Sequence, residues 1–392
     1  MHTSDGNFGR SVGSLYFHFP FCEKKCLYCD FYSVESQVLV NPFLNALQTE
    51  LELAAASHEP GPVTTVFFGG GTPSLLSLAQ MEKVLNQIYR TWNVSPDAEI
   101  TLETNPGTVN REKLQGFRSL GVNRLSIGIQ SFRSEELKFL DRIHDSQQAV
   151  RCVEDARAAG FSNVSIDLIY SLPGQTEKAW IESLQKGLAL SPDHVSAYSL
   201  IVEERTPLFK LVHEGLVVPS PPETEALLYE KTMEVMAAAG YDHYEVSSYA
   251  RPGHRCNHNL AYWHHHDYLG FGPSAHSFRK NHDEAHGTRW SNVADVASYV
   301  RSLNEQHLPV TFRETVGTKE LVEEAIFLGL RSDGIALDIL EQSDALERRC
   351  TALPIIEDLI DRGMAKRTET GVCLTDKGYL LCDEIVVRLI SG

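Results

Sequence analysis

Three cysteines lie close together near the start of the 392-residue chain, at Cys22, Cys26 and Cys29. Their spacing is C-x3-C-x2-C, and the second cysteine pair that structural zinc usually needs does not follow nearby. Three thiolates on one loop can hold three irons of a [4Fe–4S] cube, which leaves the fourth iron open to a small molecule. A zinc site completed by His18 or Asp30 is the alternative.

The composition describes a globular protein with an excess of acid. Hydrophobic residues make up 42% of the chain, and 52 acidic against 35 basic residues give a formal charge of −17. This charge repels nucleic acid and anionic membranes, so we expect no nucleic-acid partner. The sequence shows no apolar run of about 18–20 residues that could span a bilayer, and no secretory signal. We therefore expect a cytoplasmic protein.

The other five cysteines are scattered rather than paired, which is typical of a reducing compartment. We predict that they are small buried hydrophobic residues, namely Cys152, Cys256, Cys350, Cys373 and Cys382.

Short β-branched or aromatic runs alternate with helical patterns in the first half of the chain. The runs are SLYFHF, TTVFFGG, EITLET, RLSIGIQ, NVSIDLIY and HVSAYSL. Six β–α units predict a parallel sheet with right-handed crossovers. Because a closed barrel of this kind has eight units, the sequence predicts an α/β fold with an incomplete, six-unit (β/α) barrel over residues 14–215.

Polar residues stand at the ends of these predicted strands, where ligands gather in parallel β/α folds. Glu103, Gln130 and Asp167 occupy such positions. An acid within an apolar strand is costly unless it is paired, so Glu103 and Asp167 should face a ligand or a partner. The alternative for either is a buried structural hydrogen bond.

The remaining segments differ in character. Residues 1–13 are predicted to be a disordered tail. PSPPET (219–224) breaks the β/α pattern within a connecting region over 216–313, whose stretch from about 241 to 290 is polar, aromatic and rich in histidine. Residues 314–392 read as three helices, a hairpin with its turn at 369–371 and a final helix, which predicts an α+β module of the winged-helix type. Such modules often bind DNA, but the acidic charge favours a structural or protein-contacting role.

Together these motifs resemble a known family. C-x3-C-x2-C with Tyr28 before its last cysteine is the signature of radical S-adenosylmethionine (SAM) proteins. GGGTPS (69–74), ETNP (103–106), RLSIGIQSF (124–132) and IDLIYSLPGQT (166–176) resemble the branch that holds oxygen-independent coproporphyrinogen III oxidase and the HemW heme chaperones. The likeness extends over almost the whole chain.

The resemblance implies roles for particular residues. The amine and carboxylate of SAM would chelate the open iron, and the backbone at Gly70, Gly71 and Thr72 would approach the methionyl part through exposed N–H donors. Glu103 and Asp167 would bond ribose hydroxyls or the amine. The further cofactor-contacting positions that the family implies are Tyr16, Tyr28, Gln130 and Arg142. The oxidase holds two SAM molecules, so some of these residues could line a second site.

Three features separate a heme chaperone from an oxidase. The oxidase carries a fourth cysteine where this chain has Phe31, and it has an N-terminal extension for which the fifteen residues before Tyr16 are too few. In addition, HNLAYW (258–263) matches the H-N-x-x-Y-W motif of the HemW group. The resemblance therefore implies binding of heme and its transfer to acceptor proteins, soluble or membrane-bound, with at most slow SAM cleavage and no coproporphyrinogen oxidation. A third hypothesis is an interaction module with an idle cluster.

His258 is the predicted heme ligand, because histidine is a proper axial ligand for heme iron and aromatic residues surround it in the motif. The stretch follows the sixth strand, so heme need not compete with the cluster site. The alternatives are Cys256 and the histidine run 264–266. A solvated surface histidine is the ordinary interpretation of each.

Overall fold

The computed structural model describes residues 12–58, 61–281, 285–347 and 352–391. All but the last two residues of the predicted tail 1–13, and Cys350, lie outside this part of the chain. The six predicted strands are all present: β1 (Ser14–Phe19), β2 (Pro62–Gly70), β3 (Asn93–Thr104), β4 (Arg124–Gln130), β5 (Val164–Tyr170) and β6 (His194–Ser199). They are parallel neighbours in chain order, which confirms the predicted parallel sheet.

Helices connect these strands as crossovers. They are α1 (Val40–Ala56), α2 (Leu78–Thr91), α3 (Arg111–Ser119), α4 (Ser134–Phe139), α5 (Ser146–Ala158) and α6 (Glu177–Ala189). Local sequence defines α5 well. The Asp145 side chain accepts from the Gln148 N–H and Gln148 bonds back to the Asp145 backbone, while Ala149, Val153 and Ala156 are buried. A capping box before an apolar stripe is a complete start signal for a helix.

Alternation along the parallel strands separates two faces. Leu15, Phe17 and Phe68 lie in the main hydrophobic core, whereas the residues that alternate with them along each strand face the other side of the sheet. That other face carries polar or aromatic side chains, among them Tyr16, His18, Phe67, Glu103, Arg124, Ser126 and Asp167, which line one cavity. The sheet therefore buries its apolar face against helices, and its other face lines the cavity with polar and aromatic side chains.

The same sheet continues into the connecting region. After α7 (Pro207–His213) and α8 (Pro222–Ala238) come β7 (Asp242–Glu245), β8 (Ser248–Ala250), α9 (Asn257–Trp263), β9 (Tyr268–Phe271), β10 (His276–Lys280), β11 (Gly287–Asn292), α10 (Val296–Asn304) and β12 (Val310–Val316). In the described part of the chain the strand order is β12-β11-β10-β9-β1-β2-β3-β4-β5-β6-β8-β7. No strand was expected here from the sequence. The boundaries at 215 and 313 stay predictions, and the sheet continues across both of them.

A buried carboxyl group ties this extension to the barrel. Glu50 of α1 accepts hydrogen bonds from the Tyr299 hydroxyl (2.6 Å), the Asn292 amide group (2.6 Å) and the Gly272 N–H (2.9 Å). Burial raises the pKa of Glu50 to about 7. Three separate segments of the extension thus meet one residue of the barrel, which holds β9 against β1.

The C-terminal region has its own core. It contains α11 (Thr318–Leu330), β13 (Ile335–Ala336), α12 (Leu337–Glu347), α13 (Ala352–Asp361), β14 (Ala365–Arg367), β15 (Gly371–Leu374), α14 (Asp376–Tyr379) and α15 (Cys382–Ser391). The three strands form a small antiparallel sheet in the order β13-β15-β14, as a winged-helix-like module requires. None of the helices in the described ranges is both long enough and apolar enough to cross a membrane.

Candidate functional site

The cysteines lie on a folded-back loop, residues 20–34, which we call the cysteine loop. It leaves the carboxyl end of β1 and returns to it, because the Cys22 N–H donates to the Val34 carbonyl (3.0 Å) and the Val34 N–H to the Pro20 carbonyl (2.7 Å). Within it, the Cys29 N–H donates to the Cys26 carbonyl (3.2 Å). All three thiols are half-buried, so they are held in place and still reachable.

Two of the thiols accept hydrogen bonds from other strand ends. The Thr72 hydroxyl donates to Cys22 Sγ (3.7 Å), and the Arg142 guanidinium donates to Cys26 Sγ (3.5 Å). Burial raises the pKa of Cys22, and it raises the pKa of Cys29 to about 11. Without a bound cation these two thiols are therefore protonated at neutral pH, and metal binding would release their protons. Three half-buried thiols of this kind fit an iron–sulfur cluster.

Arg142 joins several of the motifs. It donates to Asn105 Oδ1 (2.6 Å) and to the Gly128 carbonyl (2.8 Å), and Asn105 in turn donates to the Thr72 hydroxyl (3.0 Å). The ETNP, RLSIGIQSF and GGGTPS segments, distant in sequence, thus form one network beside Cys26. Tyr28 packs with Leu140, Ile169 and Leu172 next to this network.

The glycine motif works differently from the prediction. The N–H groups of Gly71 and Thr72 donate to the carbonyls of Phe19 and Phe21 (both 2.8 Å), and the Gly70 N–H donates to Glu103 Oε2 (3.2 Å). The expectation of exposed N–H donors for SAM was therefore wrong. A Cβ on Gly71 would lie 2.7 Å from both carbonyls, so glycine is needed because two backbones cross closely there. Contact of Gly70, Gly71 or Thr72 with SAM through other atoms stays a prediction.

The zinc alternative lacks its fourth ligand. His18 Nε2 donates to the Tyr32 carbonyl (2.8 Å), and Asp30 pairs with Arg205 (3.3 Å). Among the described residues, no group of three or more His, Cys, Asp or Glu side chains is arranged to hold a single metal ion. The geometry thus gives this alternative no support.

A cavity of about 540 Å³ opens beside the cysteine loop, on the polar face of the sheet; we call it the barrel cavity. Glu103 and Asp167 both line it. Burial, with the neighbouring Asp167, raises the pKa of Glu103 to about 8, and burial raises the pKa of Asp167 to about 6 despite hydrogen bonds from Ser126 (3.2 Å). Two carboxyl groups so placed are suited to accept bonds from hydroxyl or ammonium groups.

Gln130 lies beside Gly128 and Arg142, and Tyr16 lines the barrel cavity. Gln130 ends β4 at a bulge and has φ 68°, a left-handed conformation that is strained for a residue with a Cβ. Tyr16 lines the cavity, and its hydroxyl bonds His18 Nδ1 (3.2 Å). The structure therefore gathers the predicted cofactor residues at one edge of the sheet, while their contacts with SAM stay predictions.

The predicted heme histidine lies in an unexpected place. His258, on α9, is 1% exposed and stacks on Phe67 with ring centroids 5.0 Å apart. Its Nδ1 bonds Thr65 Oγ1 (2.8 Å), its Nε2 bonds the Tyr262 hydroxyl (2.8 Å), and burial lowers its pKa to about 3. His258 and Glu103 line the same barrel cavity, so its place after the sixth strand does not separate this histidine from the predicted cofactor residues.

Helix α9 owes this position to a buried acid. Glu99 of β3 accepts the N–H groups of Asn257 (3.2 Å) and His258 (3.1 Å), and Cys256 Sγ (3.7 Å) lies against it. Burial raises the pKa of Cys256 to about 12. Cys256 is thus a buried thiol at the helix start, and Cys152, Cys373 and Cys382 are buried as well, as predicted.

The histidine run lies at the opposite end of the strands. A second cavity, of about 630 Å³, is lined by residues 264–266 together with Ser14 and Thr65 near the amino ends of β1 and β2. His264 pairs with Asp333 (2.9 Å) and His265 with Glu324 (3.1 Å), so both are bound to the C-terminal region.

Sequence reasoning missed Arg124, a fully buried cation that also lines the barrel cavity. Glu99 and Asp167 are among the acids that hold its guanidinium in the charged form. Its one sequence signal is an arginine at the start of an otherwise apolar strand, RLSIGIQ, which the same argument used for Glu103 would have detected.

Comparison with protein families agrees with this geometry. Residues 16–187 match the model described as the radical SAM superfamily, which covers β1 to β5 and all of the cysteine loop. Residues 318–381 match the model described as the HemN C-terminal domain.

Several characterised proteins are similar over most of the chain. The heme chaperone HemW of Bacillus subtilis is 38% identical over 95% of this chain and 97% of its own length. HemW of Escherichia coli is 40% identical over 67% of this chain and 69% of its own. A mitochondrial radical S-adenosyl methionine domain-containing protein 1 of Danio rerio is 35% identical over 82% of this chain and 73% of its own.

A solved structure shares the fold. The coproporphyrinogen III oxidase HemN of E. coli, described as a radical SAM enzyme, superposes with a TM-score of 0.81 over 98% of this chain and 91% of its own. At 23% identity this likeness supports the architecture, including the C-terminal module, and carries no conclusion about the reaction.

Proposed function

Because the chain belongs to the HemW family of heme chaperones within the radical SAM superfamily, we propose that it binds heme and hands it to acceptor proteins. The observation that carries the proposal is the 38% identity with the B. subtilis chaperone over 97% of that protein. The acceptors are proteins, soluble or membrane-bound.

Position 31 supports a chaperone over an oxidase. Phe31 stands where the oxidase has a fourth cysteine, and its side chain is 66% exposed at the barrel cavity. An exposed aromatic ring cannot replace a thiol, but it offers an apolar face to a flat ligand. The alternative function, radical decarboxylation of coproporphyrinogen III, therefore lacks one of its expected groups here.

The chain would hold a [4Fe–4S] cluster on Cys22, Cys26 and Cys29. When bound, such a cluster would supply an open iron that the amine and carboxylate of SAM can chelate. Arg142 then stabilises the Cys26 thiolate by a charge-assisted hydrogen bond. Glu103 and Asp167 accept hydrogen bonds from the ribose or the amine across the cavity, with Tyr16, Gln130 and the Gly70–Thr72 backbone close by.

Heme coordination by His258 requires a local change. Both ring nitrogens are hydrogen-bonded in the described conformation, so Nε2 reaches iron only after the Tyr262 hydroxyl turns away. The low pKa keeps the ring neutral, which is the form that binds iron.

The function is tested by anaerobic heme titration of the reconstituted protein. We expect saturable binding with a Soret band, transfer of that heme to an apo-hemoprotein, and no protoporphyrinogen IX from coproporphyrinogen III with reductant and SAM. Decarboxylation under these conditions would support the oxidase alternative. A protein with a full cluster that binds no heme would refute the chaperone proposal.

A further inference from the structure

His276 is the first residue of β10, at the turn where the chain leaves β9. Because β9 runs parallel to β1, this turn lies at the carboxyl edge of the parallel strands, the same edge as the cysteine loop. The side chain of His276 is exposed, and it lines the barrel cavity.

The ring of His276 differs from the two other histidines of this cavity. His18 and His258 each use both ring nitrogens in hydrogen bonds. In the part of the chain that the structure describes, the His276 ring has no hydrogen-bond partner. Partial burial and the Arg289 charge lower its pKa, so the ring is neutral and its lone pair is available at neutral pH.

The groups around the cavity mouth suit a flat, apolar ligand with carboxylate arms. Phe31 presents an exposed ring face, and Arg205 carries a side chain that is 85% exposed and only loosely paired with Asp30 at 3.3 Å. A metalloporphyrin needs an axial donor, an aromatic contact and a cation for its propionates. A volume of about 540 Å³ lies within the range of about 300–1,000 Å³ that is usual for ligand pockets.

His276 and the carboxyl groups of the barrel cavity lie on opposite sides of β1 in the sheet. His276 stands on β10, two strands from β1 on one side, whereas Asp167 stands on β5, four strands from β1 on the other side. A porphyrin at the mouth beside His276 and a nucleoside near Asp167 would contact different walls.

We propose that His276, rather than His258, is the axial ligand of heme iron at the mouth of the barrel cavity, with Phe31 packing on the porphyrin. The proposal rests on the proposed heme-chaperone function. In it, His258 keeps its hydrogen bonds to Thr65 and Tyr262 and serves to hold α9 in place.

The experiment compares heme titrations and Soret spectra of the full-length, cluster-loaded parent with those of His276→Ala, His258→Ala and His307→Ala. His307 is an exposed histidine in the α10–β12 loop, remote from the cavity, and serves as the matched control. We expect His276→Ala to weaken heme binding by at least about tenfold, since even an outer-shell group of a metal site is worth about 10–100-fold. We expect its Soret band to shift, and added imidazole to restore the parent band.

The outcomes separate the two proposals. If the parent binds no heme, the chaperone function fails, whatever the variants do. If the parent binds heme and His276→Ala matches it in affinity and spectrum, the assignment of His276 is overturned. A spectral shift in His258→Ala alone would assign the iron to His258 instead. Phe31→Ala should weaken binding without moving the Soret band, because it removes packing and leaves the iron ligand in place.

Discussion

The cysteine loop and helix α9 were both selected from the sequence as ligand sites, and the structure treats them in opposite ways. The loop keeps three half-buried thiols, two of which accept hydrogen bonds from Thr72 and Arg142. Helix α9 buries His258 and engages both of its ring nitrogens. The loop is thus open to a ligand, whereas the helix is internally satisfied in the described conformation.

This difference teaches how to interpret a motif. A buried polar group must find partners, so the ring nitrogens of a histidine inside a fold are engaged by its neighbours unless a ligand replaces them. The motif HNLAYW is therefore as consistent with a structural role, in which helix α9 lines the cavity, as with a role in binding a ligand. The thiols of the loop, by contrast, make few hydrogen bonds with the protein, so their sulfur atoms can still coordinate a cofactor.

The largest expected effect is loss of the cluster on simultaneous replacement of Cys22, Cys26 and Cys29 by alanine. Because these thiols are the candidate iron ligands, iron and sulfide after anaerobic reconstitution should fall to background, with no electron paramagnetic resonance signal on reduction. Cys152→Ala, a buried cysteine on α5, should keep the parent values. A triple variant that retains the full signal would contradict the assignment of the loop.

The next largest effect concerns helix α9, whose position depends on the buried side chain of Glu99. Glu99→Ala leaves Arg124 buried with one acid fewer and uncaps α9, which should lower the free energy of unfolding by about 3–5 kcal/mol. Urea unfolding of the cluster-free protein measures this. Asp97→Ala, an exposed acid in the same strand, should cost less than about 0.5 kcal/mol. Equal losses for both variants would mean that Glu99 is not the support of α9.

The carboxyl groups of the barrel cavity should make stability depend on pH. The folded-state pKa values, about 8 for Glu103 and about 6 for Asp167, lie above the ordinary values of 4.5 and 3.8. At these two groups the folded protein therefore binds more protons than the unfolded chain, and their contribution to stability should fall as pH rises from about 4 to 8.

Glu103→Gln should reduce this fall by about 1–2 kcal/mol between pH 5 and 8, after allowance for solvent in the cavity. Urea unfolding at several pH values gives the slope, with exposed Glu82→Gln as the control. An unchanged slope in Glu103→Gln would show that this carboxyl group titrates normally.

The smallest expected effect concerns backbone strain beside the cysteine loop. Gln130 (φ 68°) and Gln306 (φ 61°) are both left-handed, but only Gln130 lies by Arg142 and Gly128, while Gln306 follows α10. Replacing either by glycine should stabilise the protein by up to about 1 kcal/mol. Only Gln130→Gly should also weaken SAM binding, measured by equilibrium dialysis. Equal SAM affinities in the two variants would remove Gln130 from the site.

Local patterns were sufficient for the parallel strands and for α5. Apolar runs and a capping box act within about ten residues, so these signals can be recognised in the sequence without knowledge of the fold. The strands β7–β12 were missed because the segment around them is short-stranded, polar and rich in histidine. Their pairing depends on β1 and β6, which lie far away in sequence.

By itself, the sequence determined the cysteine spacing, the six β/α units, the C-terminal module and the position of the acids along their strands. Only the tertiary structure decided which polar groups remain free. The Gly71 and Thr72 amides are consumed by the carbonyls of Phe19 and Phe21, and His258 by Thr65 and Tyr262, whereas His276 faces the cavity. The reason is physical: a residue's type states which bonds it can make, but its availability to a ligand depends on neighbours that folding brings from elsewhere in the chain.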